Sequence, residues 1–153
     1  MPPPIRTIAD NRRAFYEYHI LERFEAGLEL TGTEVKSLRM GKVQLTDAFA
    51  RIEDGEVWIY SMHVAPYVHG NIYNVDPMRR RKALLKKDEI RRLLGKTREK
   101  GLTLIPTRLY WCGDWAKIEL GLAKGKQLHD KRDAIATRDA QRDMQRALKE
   151  RRD

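Results

Sequence analysis

The sequence has a single cysteine, Cys112, among its 153 residues, and it has no long uninterrupted apolar run. A single cysteine excludes an internal disulfide. Because no histidine stands close enough in sequence to activate it, we expect a small buried strand residue and not a catalytic thiol. A membrane-spanning helix needs about 20 mostly apolar residues, so none is predicted. The first residues, MPPPIR, also lack the apolar stretch of a secretory signal. These absences favour a reducing, cytoplasmic location.

Clusters of catalytic or metal-binding side chains are also scarce. The four histidines are widely separated, and with one cysteine they do not have the spacing of a zinc site. The glycine-bearing segment 121–126 lacks the full phosphate-loop pattern. Asp47 and Asp76 stand alone, whereas a magnesium-dependent nuclease needs clustered carboxylates. We therefore predict a protein that is not an enzyme, with no catalytic residue, no metal site and no cofactor.

Positive charge is what the sequence has in excess. Its 31 lysines and arginines against 22 acidic residues give a net charge of +9. Such a charge attracts polyanions over long distances. Nucleic acid is favoured over a membrane surface, because no basic segment outside the expected core has the strongly apolar opposite face of a membrane-bound helix.

Composition divides the chain into three parts. The proline-rich residues 1–10 are predicted to be a flexible extended arm. Residues 11–123 have the apolar content for one compact domain, which is the default for this length. The tail, 124–153, has ten basic and six acidic residues but few large apolar ones. It cannot bury enough surface to offset its ordering entropy, so we expect it to be disordered when free.

Local patterns within the domain predict about six strands and two or three helices. The elements, in order, are a strand over 15–30, a helix over 33–40 at one end of the barrel, a hairpin over 48–60, a helix beginning at Asp88, and strands over 102–111 and 115–122. The hairpin prediction rests on Asp54-Gly55, a type I′ turn dipeptide, and Pro106 predicts an edge or a bulge. This order is typical of a mainly β protein, an antiparallel barrel of the oligonucleotide-binding type.

Two segments contain candidate RNA contacts. Six basic residues occupy nine positions with no acid among them: Arg79, Arg80, Arg81, Lys82, Lys86 and Lys87. Most charge runs are simply solvated, but this density favours a phosphate backbone close by. On the first helix, Glu34 is either a carboxylate that accepts from base amino groups or an ordinary acid of the first helical turn. Aromatic residues able to stack on bases are Tyr67, Tyr73, Tyr110, Trp111 and Trp115, although most strand aromatics are core.

Several separated motifs are similar to those of one family. They are Asn11-Arg12-Arg13-Ala14, Glu25-Ala26-Gly27-Leu28, Thr31-Gly32-Thr33-Glu34-Val35-Lys36-Ser37-Leu38-Arg39, Asp76-Pro77, Arg81-Lys82-Ala83-Leu84-Leu85, Gly121-Leu122-Ala123-Lys124-Gly125-Lys126 and Asp130-Lys131-Arg132. With these motifs in this order from about Asp10 to Leu148, the chain resembles the SsrA-binding protein family, also called small protein B.

This resemblance implies a barrel of the oligonucleotide-binding type with helices, and a role in trans-translation. Family members bind the tRNA-like domain of transfer-messenger RNA and deliver it, charged with alanine, to stalled ribosomes. The implied partners are therefore that RNA and the ribosome, through its small-subunit RNA and messenger channel. Alanyl-tRNA synthetase and elongation factor Tu would be linked only through the RNA. No membrane is involved, and the protein is expected to be a monomer when bound.

The resemblance also implies site residues. The motifs imply RNA contacts from Asn11, Glu34 and one or both of Leu84 and Leu85, with phosphate contacts from Lys36, Arg39 and Lys124. Together with Arg81 and Lys82 of the basic run, these residues form the predicted binding site for the tRNA-like domain. The tail is implied to enter the empty messenger channel and to fold there as a helix. Its residues at the decoding centre would be His129, Asp130, Lys131 and Arg132, with a histidine where the family can carry tyrosine.

Two other classes fit the same composition. An ordinary ribosomal or translation-factor barrel would bind ribosomal RNA without needing transfer-messenger RNA. A metal-dependent nuclease on a similar barrel would degrade RNA until a chelator was added. The RNA that a pull-down retains, and whether it stays intact, separates these classes from the first.

Overall fold

The computed structural model of the protein describes residues 4–98, 101–126 and 128–152. Its elements, in chain order, are β1 (Ile5–Asp10), α1 (Arg12–Glu17), β2 (Tyr18–Leu28), α2 (Gly32–Arg39), β3 (Val43–Gln44), β4 (Phe49–Glu53), β5 (Glu56–Tyr60), β6 (His63–Val64), a 3₁₀ turn (Asn71–Tyr73), β7 (Arg81–Leu84), α3 (Lys87–Thr97), β8 (Leu102–Cys112), β9 (Trp115–Gly125) and α4 (Leu128–Arg152). Among the described helices, none is both long and apolar enough to cross a membrane.

Six antiparallel strands close into a barrel. Over the described residues the ring runs β8, β4, β5, β7, β2 and β9, and β9 pairs again with β8. Strand β1 adds to the outside of this ring by pairing with the second half of β8. Strands β3 and β6 form a small separate pair. The predicted mainly β barrel with helices is confirmed.

The barrel interior is filled from both the strands and the helices. Along β9, Ile118 and Leu120 point inward with the period of two that strand geometry imposes, and both are fully buried. Leu38 of α2 and Leu93 of α3 join the same core from outside the strands. Each of these leucines fixes its helix against the barrel, and this sets where the exposed faces of the two helices point.

Three local predictions are confirmed. Asp54 and Gly55 both have positive φ, 52° and 75°, as a type I′ turn requires. Helix α2 begins after Thr31, whose hydroxyl accepts from the Glu34 N–H while the Glu34 carboxylate accepts from the Thr31 N–H. The β8–β9 register shifts just after Pro106, which marks the expected bulge.

The predicted strand over 15–30 is wrong at its start, because 12–17 form helix α1. Asn11 caps this helix by accepting from the Ala14 N–H, and Arg13 pairs with Glu17 one turn later at 3.0 Å. The aromatic and β-branched residues that predicted a strand begin inside this short helix, so the pattern did not mark the boundary. Cys112, expected to be buried, is partly exposed at the end of β8.

Both chain ends differ from the predicted division. Residues Ile5–Asp10 of the expected flexible arm form β1, whose backbone pairs with β8; residues 1–3 lie outside the described part. The predicted tail was expected to begin at residue 124, but strand β9 runs to Gly125, so the first two residues of that tail belong to the barrel. Lys126 is held on α1, because its N–H donates to the Glu17 carbonyl at 2.9 Å and its ammonium to the Phe15 carbonyl at 3.1 Å. Beyond it, α4 is one continuous helix, and disorder of the free tail stays a prediction.

Candidate nucleic-acid interface

A buried carboxylate lies where α2 meets β7. Glu34 is 3% exposed and Arg81 is 0% exposed. One oxygen of Glu34 accepts from the Arg81 Nε, and the other accepts from Arg79 and, at 2.9 Å, from the Thr31 N–H. Both carboxylate oxygens are therefore occupied by groups of the protein itself.

The charges of this cluster support one another. Burial opposes ionisation of Glu34, but hydrogen bonds from Arg79, the Thr31 backbone and Arg81 outweigh it and hold the pKa of Glu34 below its ordinary value. Burial lowers the pKa of Arg81, and its bond to Glu34 opposes that change. Because a guanidinium is protonated throughout the accessible pH range, the pair is ionic at neutral pH.

Arg81 also holds both ends of the segment 63–78. Its Nη1 donates to the Met62 carbonyl, and its Nη2 donates to the Pro77 carbonyl at 3.0 Å. The Val64 N–H closes the same neck by donating to the Pro77 carbonyl at 3.0 Å. The cluster of Glu34, Arg79 and Arg81 therefore fixes this loop against α2.

The loop and α2 enclose a groove of about 570 Å³, called here the α2 groove. Its lining residues are Thr31, Gly32, Thr33, Lys36, Tyr67, His69, Gly70 and Tyr73. The Lys36 ammonium lies 5.1 Å from the centre of the Tyr67 ring, and His69 meets that ring edge to face. Tyr73 is 75% exposed. A groove with aromatic rings and an exposed ammonium is suited to stacking an unpaired base and contacting its phosphate.

A second groove, of about 470 Å³, opens on the other side of the α2 N-terminus and is called the Trp115 groove. It is lined by Gly27, Leu28, Glu29, Leu30, Val35, Leu84, Trp111, Asp114, Trp115, Ala116 and Lys117. Leu84 is 50% exposed and Trp115 is 74% exposed. Gly27 lets Leu84 lie flat on β2, because an added Cβ would stand 3.3 Å from the Leu84 Cβ. Large apolar side chains facing solvent mark a contact surface.

The structure brings some of the predicted site residues together and separates others. Lys36 lines the α2 groove, Leu84 lines the Trp115 groove, and Arg39 is exposed in the last turn of α2. Leu85 packs partly against the core, and Lys82 is partly exposed and pairs with Glu56 at 3.6 Å. These residues lie on or beside α2 and β7.

Lys124 lies elsewhere. It is exposed near the end of β9, seven residues beyond Lys117 of the Trp115 groove. At strand spacing this is a separation of about 23 Å. Lys124 therefore lies away from the Lys117 end of the Trp115 groove, and it does not line the α2 groove.

Three of the predicted RNA contacts are buried side chains in the protein alone, and their contact with RNA stays a prediction. Glu34 and Arg81 are enclosed as described above. Asn11 is also buried, and its Nδ2 donates to the carbonyls of Leu45 at 3.1 Å and Pro106 at 2.9 Å. In the protein alone, all three side chains position backbone or loops.

Strand alternation explains why Arg81 is buried. The basic run contains strand β7, which the sequence did not predict, and on this strand Arg81 points inward while Lys82 points outward. Four of the six cations pair with three carboxylates of the protein: Glu34 holds Arg79 and Arg81, Glu53 holds Arg80 and Glu56 holds Lys82. The density of these four therefore does not require a phosphate backbone.

The residue that sequence reasoning missed in the α2 groove is His69. The feature that could have indicated His69 is its position in the loop rich in Pro, Gly and Asn, two residues after Tyr67. For the tail, the side chains of His129, Asp130 and Lys131 lie outside the described residues, and Arg132 is exposed on α4. In the described ranges, no group of three or more His, Cys, Asp or Glu side chains could hold a metal ion.

Comparison with known proteins adds independent findings. The profile of the SmpB protein family matches residues 8–150. An SsrA-binding protein of Carboxydothermus hydrogenoformans is 60% identical over 146 residues, covering 95% of this chain and 98% of the relative. Another, from Pelotomaculum thermopropionicum, is 58% identical over 147 residues, covering 96% of each.

A solved structure is similar as well. It is described as "tmRNA-SmpB: a journey to the center of the bacterial ribosome", and one of its chains is 53% identical to this one with a TM-score of 0.67. The match covers 83% of this chain and 93% of that chain.

Proposed function

The chain belongs to the SmpB protein family, and from that premise we propose that it binds the tRNA-like domain of transfer-messenger RNA and delivers it to stalled ribosomes. The observation that carries the proposal is the pair of grooves on either side of the α2 N-terminus, which join exposed aromatic and apolar side chains to a lysine. The names of the relatives and the solved RNA complex support the same partners. The protein acts as an adaptor without chemistry of its own, in the cytoplasm where ribosomes are.

Within this proposal the two grooves hold different parts of the RNA. Trp115 and Leu84 offer an apolar platform on which an unpaired loop base stacks. Lys36, beside Tyr67, supplies a charge for the phosphate of a neighbouring nucleotide. The cluster of Glu34, Arg79 and Arg81 holds the loop of the α2 groove in its binding position before the RNA arrives, so little ordering entropy is lost on binding.

The test is binding of the purified protein to a transcript of the tRNA-like domain, beside an elongator tRNA and a scrambled hairpin, at two salt concentrations. We expect a strong preference for the tRNA-like domain. Trp115→Ala should weaken that binding by about tenfold, because loss of one base stack costs about 1–3 kcal/mol. Phe15→Ala, which truncates a partly exposed aromatic of α1 outside both grooves, should not change it.

Two results would contradict the proposal. Equal affinity for all three RNAs, falling together as salt rises, would show that only the overall charge is recognised, as in an ordinary ribosomal RNA-binding barrel. Breakdown of the RNA that a chelator prevents would favour a nuclease instead.

We further propose that the tail, from residue 127, enters the empty messenger channel of the small subunit. It is a single helix with exposed basic side chains, among them Arg132, Arg138, Arg142 and Arg146, and such a helix suits an RNA-lined channel. The side chains His129 to Arg132 would then lie at the decoding centre. A messenger that fills the channel would exclude the tail.

Removal of residues 127–153 is expected to leave binding of the tRNA-like domain unchanged and to abolish rescue of stalled ribosomes in a reconstituted translation assay. The deletion removes no barrel strand, because β9 ends at Gly125. A truncated protein that still rescues ribosomes at the wild-type rate would rule out the role of the tail.

A further inference from the structure

Arg81 fixes the two ends of the loop 63–78, but the rings of the α2 groove lie in the middle of that loop. In this middle part, one side chain is bonded twice to the same residue. The Asn74 Oδ1 accepts from the Tyr67 N–H at 2.9 Å, and the Asn74 Nδ2 donates to the Tyr67 carbonyl at 2.9 Å. Because the N–H needs an acceptor and the carbonyl needs a donor, the two bonds also fix which way the amide faces. The contact closes the chain over seven positions.

Consecutive turns lie between Tyr67 and Asn74. The Gly70 N–H donates to the Tyr67 carbonyl at 2.9 Å, and the Tyr73 N–H donates to the Gly70 carbonyl at 2.9 Å. His69 stands inside the first turn, and Tyr73 ends the second. The Tyr67 carbonyl thus accepts from both the Gly70 N–H and the Asn74 amide. The start of the first turn is therefore joined to the residue that follows the second.

Gly70 stands directly against this contact. It is buried, and a Cβ added to it would lie 2.8 Å from the Asn74 Oδ1 and 2.9 Å from the Asn74 Nδ2. A Cβ cannot come so close to other heavy atoms, and the amide cannot move aside without breaking its bonds to Tyr67. The φ of Gly70 is not positive, unlike that of Gly55, so alanine would fit the backbone itself. Glycine is required here by the space that the Asn74 amide occupies.

The contact fixes the rings of the α2 groove, although Asn74 itself does not line that groove. His69 meets the Tyr67 ring edge to face, with 5.5 Å between the ring centres. The Tyr73 carbonyl accepts from the Thr33 hydroxyl of α2 at 3.3 Å, while the Tyr73 ring is exposed. Asn74 therefore acts on a ligand in the groove only through the rings that it places there.

We propose that Asn74 is the positioning residue of the α2 groove: it fixes the segment 67–74, before RNA binds, in the conformation that presents its rings to RNA. The inference rests on the proposed function, since it takes the tRNA-like domain as the ligand of this groove. A segment already in its binding conformation loses little conformational entropy on binding. If only a fraction of the molecules has that conformation, the apparent affinity falls in proportion to the fraction. Loss of the Asn74 amide thus weakens RNA binding without removing a contact with RNA.

The first measurement is binding of the full-length protein to a transcript of the tRNA-like domain. Asn74→Ala is expected to bind about tenfold more weakly, as when about one tenth of the molecules have the groove formed. The matched control is Gln44→Ala, which also removes a side-chain amide. Gln44 is exposed on β3, and it pairs with His63 at the start of the same loop. The control should stay within about twofold of wild type.

Gly70→Ala tests the mechanism from the opposite side of the contact. Alone, it should also weaken binding about tenfold, because its Cβ displaces the Asn74 amide. Combined with Asn74→Ala, it should change binding by less than about twofold more, because the nearest atoms that its Cβ would meet are gone. Two substitutions that only destabilised the fold independently would give losses that multiply.

Hydrogen exchange of the free protein gives a readout that needs no RNA. The Tyr67 N–H should exchange at least about tenfold faster in Asn74→Ala than in wild type, because its acceptor is lost. The same N–H should keep its wild-type rate in Gln44→Ala. An unchanged rate in Asn74→Ala would show that the amide does not hold the segment, and it would overturn the inference.

Three binding results would overturn it as well. They are wild-type affinity of Asn74→Ala for the tRNA-like domain, an equal loss in Gln44→Ala, and losses that multiply in the double variant. Failure of the proposed function is distinguishable from these results. It would show as a wild-type protein that has no preference for the tRNA-like domain over the other two RNAs, whereas failure of the inference leaves that preference intact in Asn74→Ala.

Discussion

Replacing Glu34 by glutamine is expected to lower the free energy of unfolding by about 3 kcal/mol, because the fully buried Arg81 then keeps its charge with no carboxylate to balance it. Glutamine keeps the volume of the side chain, so the loss reports charge and hydrogen bonding and not a cavity. Urea denaturation at pH 7, analysed for both midpoint and slope, measures it. A loss under 1 kcal/mol would mean that the cluster does not hold the loop.

The matched control is Glu53→Gln. Glu53 pairs with Arg80, of the same basic run, at 3.0 Å, but both side chains are substantially exposed. A pair of this kind contributes less than about 1 kcal/mol. The two substitutions therefore separate the effect of burial from the effect of removing an acid near this run.

Lowering the pH is expected to reduce the difference in free energy of unfolding between the wild-type protein and the Glu34→Gln variant. The pKa of Glu34 is lowered in the folded protein, so the stability that its charge contributes is complete above the unfolded value of about 4.3 and is lost as pH falls below it. If Glu34 were instead a contact for RNA, the glutamine variant would bind RNA more weakly at unchanged stability and with no such pH dependence.

Asn11→Ala is expected to cost about 2–3 kcal/mol of stability. The substitution leaves the carbonyls of Leu45 and Pro106 and the Ala14 N–H without their partner inside the protein, and buried polar groups without partners are expensive. Thermal unfolding gives the size of the loss, and hydrogen exchange at Ala14 shows whether α1 frays.

Thr31→Ala is the comparison for this second substitution. Thr31 also caps a helix, but it is only partly buried and its hydroxyl accepts from one backbone N–H, that of Glu34. Its replacement by alanine should therefore lower the free energy of unfolding by about 1 kcal/mol. Equal costs for Asn11 and Thr31 would show that Asn11 acts only as a cap and does not join α1 to the segments of Leu45 and Pro106.

Elements specified by neighbouring residues were predictable from the sequence. The hairpin at Asp54-Gly55 and the capping box of Thr31 and Glu34 each depend on chemistry within four positions. The barrel followed from the order of such elements. Helix α1 was missed because its capping residue, Asn11, was taken for an RNA contact and its aromatic residues for a strand.

The role of Arg81 was not predictable from its surroundings in sequence. Its partner Glu34 stands 47 positions away, and only the phase of β7 turns Arg81 inward and Lys82 outward. A one-residue shift of that phase would have reversed the two. The resemblance marked Asn11 and Glu34 as important, but importance for binding and for holding the binding surface look alike in sequence. The α2 groove could not be predicted from the sequence either, because its shape depends on the path that the loop 63–78 takes.

The anchoring of Lys126 on α1 gives the tail a fixed pivot. Helix α4 starts two residues beyond this anchor and is 25 residues long, so it spans about 37 Å. A rotation of about 10° at its base would move its far end by about 6 Å, which is simple lever arithmetic on that length. The direction of the helix is set where it meets α1, by the bonds of Lys126 to Phe15 and Glu17 and by Ile135 and Arg138, which lie beside that helix. A substitution in α1 that shifts this pivot would redirect the whole helix while leaving every residue of the helix unchanged.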